Sequence, residues 1–543
     1  MTTIREEVRT NSVPIKAAGS FPSRIVLGLA LLAVFLRLFF WFYTQRTWED
    51  ALITVQHAEN AARGLGLTHT PQAGAPLHGF TSPISVLIPF LGEFLHPGFG
   101  LPLLKLLSAL LGGMSVWLGM RIAHLLGVSR GCAVAVGGFL AIEHHQILFG
   151  MSGMETQAVV AILLFSFFVL FDLNPKAVGI SLGLCMLARP DFIFWLAIVF
   201  GLVARRCWIQ RRFRPLLAVS AGVALVYGPW LVFTTSYYGS PVPNTILAKA
   251  YGYNNHWYAS IPLQELPIRL LWRVPKLIFG SLGPAYGGNG FGFHLFADHG
   301  LVACAVVLLA APGCRVALRR KDTAGLGLCG FILVYALYYM FAMTYVYGWY
   351  SVPLAAATIL ASALGTDLLI RSIVSPALFD RITYCVAIGY LTLVAVYIPV
   401  TFRGERQVQE FVENGNRKPI GEYLAAVMAP DQTVGSESLG YIGYYSRRIV
   451  YDYPGLCSRK VTQYVRDNPE HRGLLEMVHA FRPDYLVLRS EEVLSASASL
   501  NGWLREDYEL VREFRVPEAQ VKRMLFPRNY DLAFHVYKRK SSR

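Results

Sequence analysis

Leu187-Ala188-Arg189-Pro190-Asp191-Phe192 cuts the apolar stretch Ala177 to Ala204 in its middle. Read as one membrane span, the stretch would carry Arg205, Arg206, Arg211, Arg212 and Arg214 to the outer side, against the rule that basic clusters stay inside. Read as two short spans with Arg-Pro-Asp at an outer turn, it keeps the cluster inside, and the remaining apolar segments alternate without conflict.

Working back from this break, Thr156 to Phe171 runs inward, Cys132 to Phe149 outward, Leu101 to Leu126 inward and Ile25 to Tyr43 outward. Residues 1–24, with Arg5, Arg9, Lys16 and Arg24, are then a cytoplasmic N-terminal tail. The first outer loop covers about residues 44–100 and contains a helical stretch from Ala51 to Gly64. It also holds the short run Ile84 to Leu95, which Pro83 and Pro89 interrupt; crossing needs about 20 apolar residues, so this run lies on the surface or re-enters. Working forward, Leu216 to Thr235 leads out to a long loop, about residues 237–299, and Gly300 to Leu318 returns to Arg315, Arg319, Arg320 and Lys321. Gly325 to Thr344, Ser351 to Ile370 and Ile382 to Val400 complete about eleven spans. The odd count leaves residues 401–543 outside as a soluble α/β domain. Its candidate strands are Arg448 to Asp452, Tyr485 to Leu488, Tyr508 to Val511 and Phe534 to Tyr537, with helices at Ile420 to Met428 and Gly473 to Phe481. The expected fold class is mostly α: a polytopic transmembrane helical bundle (residues 25–400) with a C-terminal extracytoplasmic α/β domain.

Composition agrees. The 543 residues are 54% hydrophobic and 15% charged, against roughly 25% charged in soluble domains. The net charge of +15 sits in short clusters between apolar segments, which excludes nucleic acid as a partner. Most of the eight cysteines lie in apolar segments, and no CxxC or Cys/His metal spacing occurs. The first apolar segment has no small-residue cleavage site and reads as a retained helix.

This topology brings the polar, turn-rich motifs to the outer face. They are Trp48-Glu49-Asp50-Ala51, Gly79-Phe80-Thr81-Ser82-Pro83, Ser152-Gly153-Met154-Glu155-Thr156, Ala188-Arg189-Pro190-Asp191, Tyr237-Tyr238-Gly239 with Pro243-Asn244-Thr245 and Ala248-Lys249, and Gly348-Trp349-Tyr350-Ser351. Each has a plain structural reading. Glu49 and Asp50 cap a helix, Gly153 and Pro190 end helices, Asn244 makes a turn, and Trp349 and Tyr350 belong to an interfacial belt. Arg37, in the outer half of the first span, snorkels to the surface. Glu143, His144 and His145 read either as a metal cluster or as a satisfied polar helix end. What those readings leave over is the coincidence of six motifs on one face.

Glu49-Asp50-Ala51-Leu52-Ile53-Thr54, Gly64-Leu65-Gly66-Leu67 and Gly79-Phe80-Thr81-Ser82-Pro83 resemble the Asp-Asp-Ala-Phe-Ile … Gly-x-Gly … Gly-Tyr-Thr-Ser pattern. That pattern opens polytopic glycosyltransferases of the GT-C superfamily, in particular the arabinofuranosyltransferase-like branch of cell-envelope enzymes. The Ser-Gly-Met-Glu-Thr, Arg-Pro-Asp and Tyr-Gly…Pro-Asn-Thr…Ala-Lys motifs match that branch in order, over about residues 25–400. The resemblance implies an inverting transfer of a single sugar from a polyprenyl-phosphate donor to a glycan, lipid or protein acceptor. The reaction would run on the outer (periplasmic or extracellular) face of a bacterial cytoplasmic (inner) membrane. One carboxylate of the first outer loop would be the general base. Glu49 stands where the family has its first Asp, so Asp50, which keeps the family residue, is the better candidate.

The residues support this chemistry on their own. A lipid phosphate leaving group is anionic, and Arg189 and Lys249 are the outer-face cations to bind it, one as a fork and one as a point charge. An acceptor hydroxyl needs a nearby base, which Asp50 or Glu49 supplies; inversion needs only one. Glu155, Asp191, Tyr238, Asn244, Trp349 and Tyr350 complete the candidate substrate-binding set. A divalent cation would use Glu49, Asp50 or Glu155, and no ligand spacing supports one. The competing classes are a transporter or flippase of lipid-linked sugar, which would place polar groups at mid-membrane in repeated halves, an oligosaccharide ligase or polymerase, and a non-catalytic anchor for the tail.

Overall fold

A computed structural model describes residues 23–253, 261–279, 300–342, 346–499, 503–527 and 530–540. Most of the cytoplasmic tail and parts of the long loop at 237–299 lie outside the described residues.

The chain is mostly helical. The first apolar helix, α1 (Ser23–Thr44), leads into α2 (Glu49–Ala62) and the short α3 (Ile84–Leu95), followed by α4 (Gly100–Leu125). Helix α3 matches the run set apart by its two prolines: Pro83 precedes its first residue and Pro89 lies inside it. The segment Cys132 to Phe149, read as one span, is two helices, α5 (Arg130–Ile142) and α6 (His144–Met151). They part at Glu143, whose carboxylate turns back to accept the Gln146 N–H at 2.9 Å and so caps α6.

Arg37 explains what holds that break, and it does not snorkel. It is fully buried in α1, donates from Nε to Gln157 Oε1 at 2.8 Å, and reaches the carbonyls of Leu140, Ala141 and Gln146 at 3.1–3.3 Å. The break releases carbonyls at the end of α5, and a guanidinium satisfies them. A Cβ on Gly112 would come within 2.4 Å of Arg37 Nε, so the neighbouring helix keeps a glycine there.

Next come α7 (Thr156–Asp172), α8 (Pro175–Ala188), a short turn at Pro190–Phe192, α9 (Ile193–Gln210) and α10 (Arg214–Tyr238). The Ala177 to Ala204 stretch is therefore two helices joined at Arg-Pro-Asp. Helices α8 and α10 touch through Gly179 and Gly222: a Cβ on Gly179 would sit 2.4 Å from the Val219 carbonyl oxygen. Beyond α11 (Asn244–Gly252) and α12 (Leu266–Phe279), α13 (Gly300–Arg320) and α15 (Gly348–Ile373) meet through Gly313 and Gly365 in the same way. Between them α14 (Thr323–Leu337) runs on into a π-helical turn, Tyr338–Ala342. Among the described residues eight helices are long and apolar enough to cross a membrane, while α7 and α8 are shorter. The chain is an integral membrane protein; the eight counted helices are fewer than the expected eleven spans because α7, α8 and α13 are not among them.

The last long helical segment, Pro376–Val427, does not stop at residue 400. It comprises α16 (Pro376–Ala395), α17 (Tyr397–Gln407), a π-helical stretch Val408–Arg417 and α18 (Lys418–Val427). This rod delivers a five-stranded sheet of order β2-β1-β3-β5-β4, with β1 Thr433–Ser436, β2 Ile449–Asp452, β3 Tyr485–Arg489, β4 Tyr508–Arg515 and β5 Ala533–Arg539. Strands β2, β1 and β3 are parallel and β5 and β4 antiparallel to their neighbours. Helices α19 (Gly440–Ser446), α20 (Arg459–Asp467) and α21 (Leu474–Phe481) pack around it. Four strands match the expected runs; β1 is additional. Its core joins Val434, Val450, Val487 and Phe534 to Ile420 and Leu424 of the rod.

Candidate active site

Glu49 and Asp50 open α2, where carboxylates oppose the positive end of the helix dipole. Being consecutive, they point in different directions, and this separates their surroundings.

Asp50 lines a cavity of about 70 Å³ together with Glu155, Arg189, Lys249, Trp349 and Tyr350. Thr81 and Thr245 join them, their hydroxyls 2.9 Å apart, and Leu456 of the C-terminal domain closes one side. Lys249 Nζ donates to the Tyr350 hydroxyl at 3.4 Å, and the Arg189 guanidinium lies 4.3 Å above the Tyr350 ring. Trp349 stacks on Tyr347, centroids 4.5 Å apart, with Trp48 edge-on at 5.8 Å. Burial raises the Asp50 carboxyl above the ordinary range, opposed by Lys249 and helped by Glu437. Burial likewise raises Glu155, opposed by Arg189. Burial opposes the Lys249 charge, but Tyr350 and Asp50 lift its pKa above the usual lysine value.

Arg189 is held in place from behind. As α8 ends, its backbone turns extended and Nε meets Asp191 Oδ1 at 2.9 Å, while Nη2 donates to the Tyr339 hydroxyl at 3.0 Å. Tyr335 donates to Asp191 at 3.1 Å, and Tyr339 bonds the same carboxylate. Asp191 is thus the counter-ion that orients Arg189, and it does not line the cavity.

Glu49 also does not line the cavity. Its Oε2 pairs with Arg417 at 3.1 Å and its Oε1 accepts the Gly440 N–H at 3.1 Å, both from the C-terminal part of the chain. Burial pushes its carboxyl up to about 7; Arg417 opposes this, while Glu413, Glu437 and Asp50 add to it. Tyr238 and Asn244 lie next to the cavity. The Tyr238 hydroxyl donates to the Leu67 carbonyl at 2.7 Å, and Asn244 Nδ2 donates to the Gly455 carbonyl at 2.7 Å and to Thr462 Oγ1 at 3.0 Å. Of the ten expected site residues, six share one cavity, and four hold its walls or the domain above it.

Thr81 and Thr245 stood inside motifs already singled out, so the motifs carried their signal. Tyr335, Tyr339 and Leu456 carried none: the two tyrosines lie inside an apolar span without a motif around them, and Leu456 arrives from the distant tail. Among the described residues the His, Cys, Asp and Glu groups that bring three ligand atoms within 4.8 Å are Glu143, His144 and His145. Glu143 Oε1 faces both Nδ1 atoms at 3.2 and 3.3 Å while its other oxygen caps α6.

Comparison with known proteins bears on the fold. The profile of a domain of unknown function (DUF8728) matches residues 401–536. No curated protein matches the sequence. Among solved structures, ArnT from Cupriavidus metallidurans bound to undecaprenyl phosphate is 13% identical with a TM-score of 0.50, over 94% of this chain and 98% of that one. The Archaeoglobus fulgidus oligosaccharyltransferase AglB in complex with an inhibitory peptide and a dolichol-phosphate is 12% identical with a TM-score of 0.52, over 86% and 69%. The mycobacterial arabinofuranosyltransferase AftD is 14% identical with a TM-score of 0.51, over 96% of this chain but 40% of that one. The fold is that of GT-C membrane glycosyltransferases.

Proposed function

We propose that the protein is an inverting glycosyltransferase that moves a single sugar from a polyprenyl-phosphate donor to an envelope acceptor. The observation that carries this reading is the cavity in which Asp50 lies with Arg189 and Lys249. Asp50 takes the proton of the acceptor hydroxyl, and the hydroxyl oxygen attacks the anomeric carbon opposite the phosphate. The bond from that carbon to the phosphate oxygen breaks, and Arg189 and Lys249 stabilise the charge that the phosphate gains. A carboxyl pKa raised by burial suits this step, because it makes the carboxylate a stronger base. Undecaprenyl and dolichol phosphates, named in two neighbours, support a lipid-linked donor. Asp50 and Glu155 are the candidate cation ligands that line the cavity, and a divalent cation held by them would help neutralise the leaving phosphate.

The eleven-span topology, with residues 25–400 as the catalytic domain and 401–543 as the outer domain, belongs to the same reading, as do the inner-membrane location and the outward-facing cavity. A cysteine at Ser490 is expected to react with an impermeant thiol reagent on intact cells, and one at Gln210 is not; protection of the 490 site would reverse the orientation. The function is tested with purified protein in lipid and a panel of polyprenyl-phosphate sugars: transfer from one of them supports it, and transport without transfer would replace it with a flippase.

A further inference from the structure

The break between α5 and α6 gathers three ligand side chains that the proposed reaction does not use. Glu143, His144 and His145 are consecutive, and they are 5%, 2% and 4% exposed. Glu143 is the N-cap of α6, and the two histidines open its first turn. One carboxylate oxygen of Glu143 caps the helix at the Gln146 N–H. The other, Oε1, stands 3.2 Å from His144 Nδ1 and 3.3 Å from His145 Nδ1. All three ligand atoms lie within 4.8 Å of one another. Consecutive helical side chains ordinarily diverge by about 100°. Here the two imidazoles converge instead, with ring centroids 4.0 Å apart, and both turn Nδ1 to the same oxygen.

The separations discriminate between a hydrogen-bonded triad and a metal set. Hydrogen bonds from a cationic N–H to a carboxylate run about 2.7–2.9 Å, and neutral N–H···O bonds centre on about 2.9–3.0 Å. Both contacts here are longer. A tetrahedral zinc ion with bonds of about 2.0–2.1 Å sets its ligand atoms about 3.3 Å apart, whereas a six-coordinate ion with the same bonds sets them about 2.9 Å apart. The tetrahedral spacing is the one that fits. The neighbouring charges are engaged elsewhere: Arg37 bonds Gln157 and backbone carbonyls, and Glu405 pairs with Arg46 at 2.8 Å. Among the described residues the ion pairs of Glu143 are those with the two histidines, and a buried charge is ordinarily paired or bound to a metal. Stacking fixes both rings, His144 on Tyr397 of α17 at 5.2 Å and His145 on Phe149 at 5.6 Å.

We propose that Glu143, His144 and His145 bind a zinc ion through Oε1 and the two Nδ1 atoms, with the fourth position left to water. Two imidazoles and a glutamate are a ligand set that zinc takes. The ion staples the cap of α6 to its first turn, and so fixes the break whose carbonyls receive Arg37. None of the three residues lines the Asp50 cavity, and the site stands whether or not the protein transfers sugar.

The test is metal analysis of the full-length protein, purified in detergent without chelators and supplied with Zn²⁺, by elemental mass spectrometry and zinc-edge X-ray absorption. Stoichiometric zinc is expected, four-coordinate and with imidazole scattering. His144→Gln/His145→Gln keeps N–H donors for the Glu143 carboxylate but removes both imidazole ligands. Its zinc affinity should fall by more than about 100-fold, beyond the 10–100-fold that outer-shell partners are worth. Chelation should lower the melting temperature of wild type and leave that of the double variant unchanged. Asp50→Asn/Glu155→Gln should hold zinc like wild type, which separates this site from a cation in the cavity. No zinc uptake, zinc retained by the histidine variant or zinc lost from the cavity variant would each overturn the proposal. Should the histidine variant fail to fold, the wild-type spectrum decides: six-coordination, or absorption without imidazole scattering, refutes the site.

Discussion

Two buried charge clusters lie side by side at the top of the helical bundle, and adjacent residues feed them. The junction cluster gathers Arg46, Glu405, Glu413, Arg417 and Glu49. Arg46 is fully buried, with Nε 2.8 Å from Glu405 and Nη1 3.1 Å from Glu413, and Arg417 pairs with Glu413, Glu49 and Asp531. The cavity cluster gathers Asp50, Glu155, Arg189 and Lys249, and the Asp50 carboxylate answers to the charge of Lys249 without an ion pair to it among the described residues. The first spends its charges on one another and ties the outer loop to the C-terminal rod. The second keeps charge in reserve where a substrate can meet it. Paired buried charges fix a structure, whereas an unpaired carboxylate in a cavity is a working group.

The sharpest way to break this contrast is to neutralise each neighbour in turn. Asp50→Asn keeps size and most packing but cannot accept a proton, so turnover should fall ~10²–10⁴-fold with an unchanged melting temperature. Glu49→Gln should keep most of its turnover; if it is dead and Asp50→Asn active, the base is Glu49 and the division of labour is reversed.

The junction should answer in stability instead. Arg46→Met strands Glu405 in a buried site and leaves Glu413 with Arg417 alone, and removing one partner of a buried pair costs about 3–5 kcal/mol. Denaturant unfolding in detergent reads this directly, and a loss under about 1 kcal/mol would mean that the cluster relaxes easily.

Arg189→Ala and Lys249→Ala should each weaken donor use by about 1.5–3 kcal/mol in kcat/KM, the worth of a hydrogen bond to a charged group. Arg189→Ala should also lower stability, since it uncovers Asp191, while Lys249→Ala should not. Wild-type kinetics in both would place the phosphate elsewhere.

The last effect is a slope. The Glu49 carboxyl is raised from 4.5 to about 7 in the folded protein, so between these pH values the folded state keeps a proton that the unfolded chain has released. Stability from this group is therefore full below about pH 4.5 and declines as pH rises through 7. Glu49→Gln should flatten the decline of melting temperature across that window, and an unaltered slope would assign it to another group.

The sequence was most readable where punctuation is local. Pro83 and Pro89 set off the short helix α3, and Arg-Pro-Asp split Ala177 to Ala204, because proline acts on its own backbone wherever the chain goes. Strand β1 was missed because Thr433-Val434-Gly435-Ser436 is four residues with one large apolar side chain, and only pairing with β2 and β3 makes it a strand. The break at Glu143 was missed because an acidic residue in an apolar run reads as an end of the run until its capping bond is seen. The site divides in the same way. Position along the chain brought Asp50, Glu155, Arg189 and Lys249 to one face. The parting of Glu49 from Asp50 depends on Arg417 and Gly440, hundreds of residues later, which no local pattern encodes.

Arg37 has a consequence for how the chain is built. It enters the membrane with the first apolar helix, while the carbonyls that receive it, Leu140, Ala141 and Gln146, are made about a hundred residues later. An arginine at a helix centre opposes insertion by about 2.5–3.5 kcal/mol, and the leucines and phenylalanines around Arg37, in the outer half, must outweigh a smaller cost. Within α1 itself Arg37 Nη1 reaches only the Ala33 carbonyl, at 3.2 Å, so its other donors depend on the later helices. Those contacts turn Arg37 inward, and with α1 so oriented the chain enters α2 with Glu49 toward Arg417 and Asp50 toward the cavity.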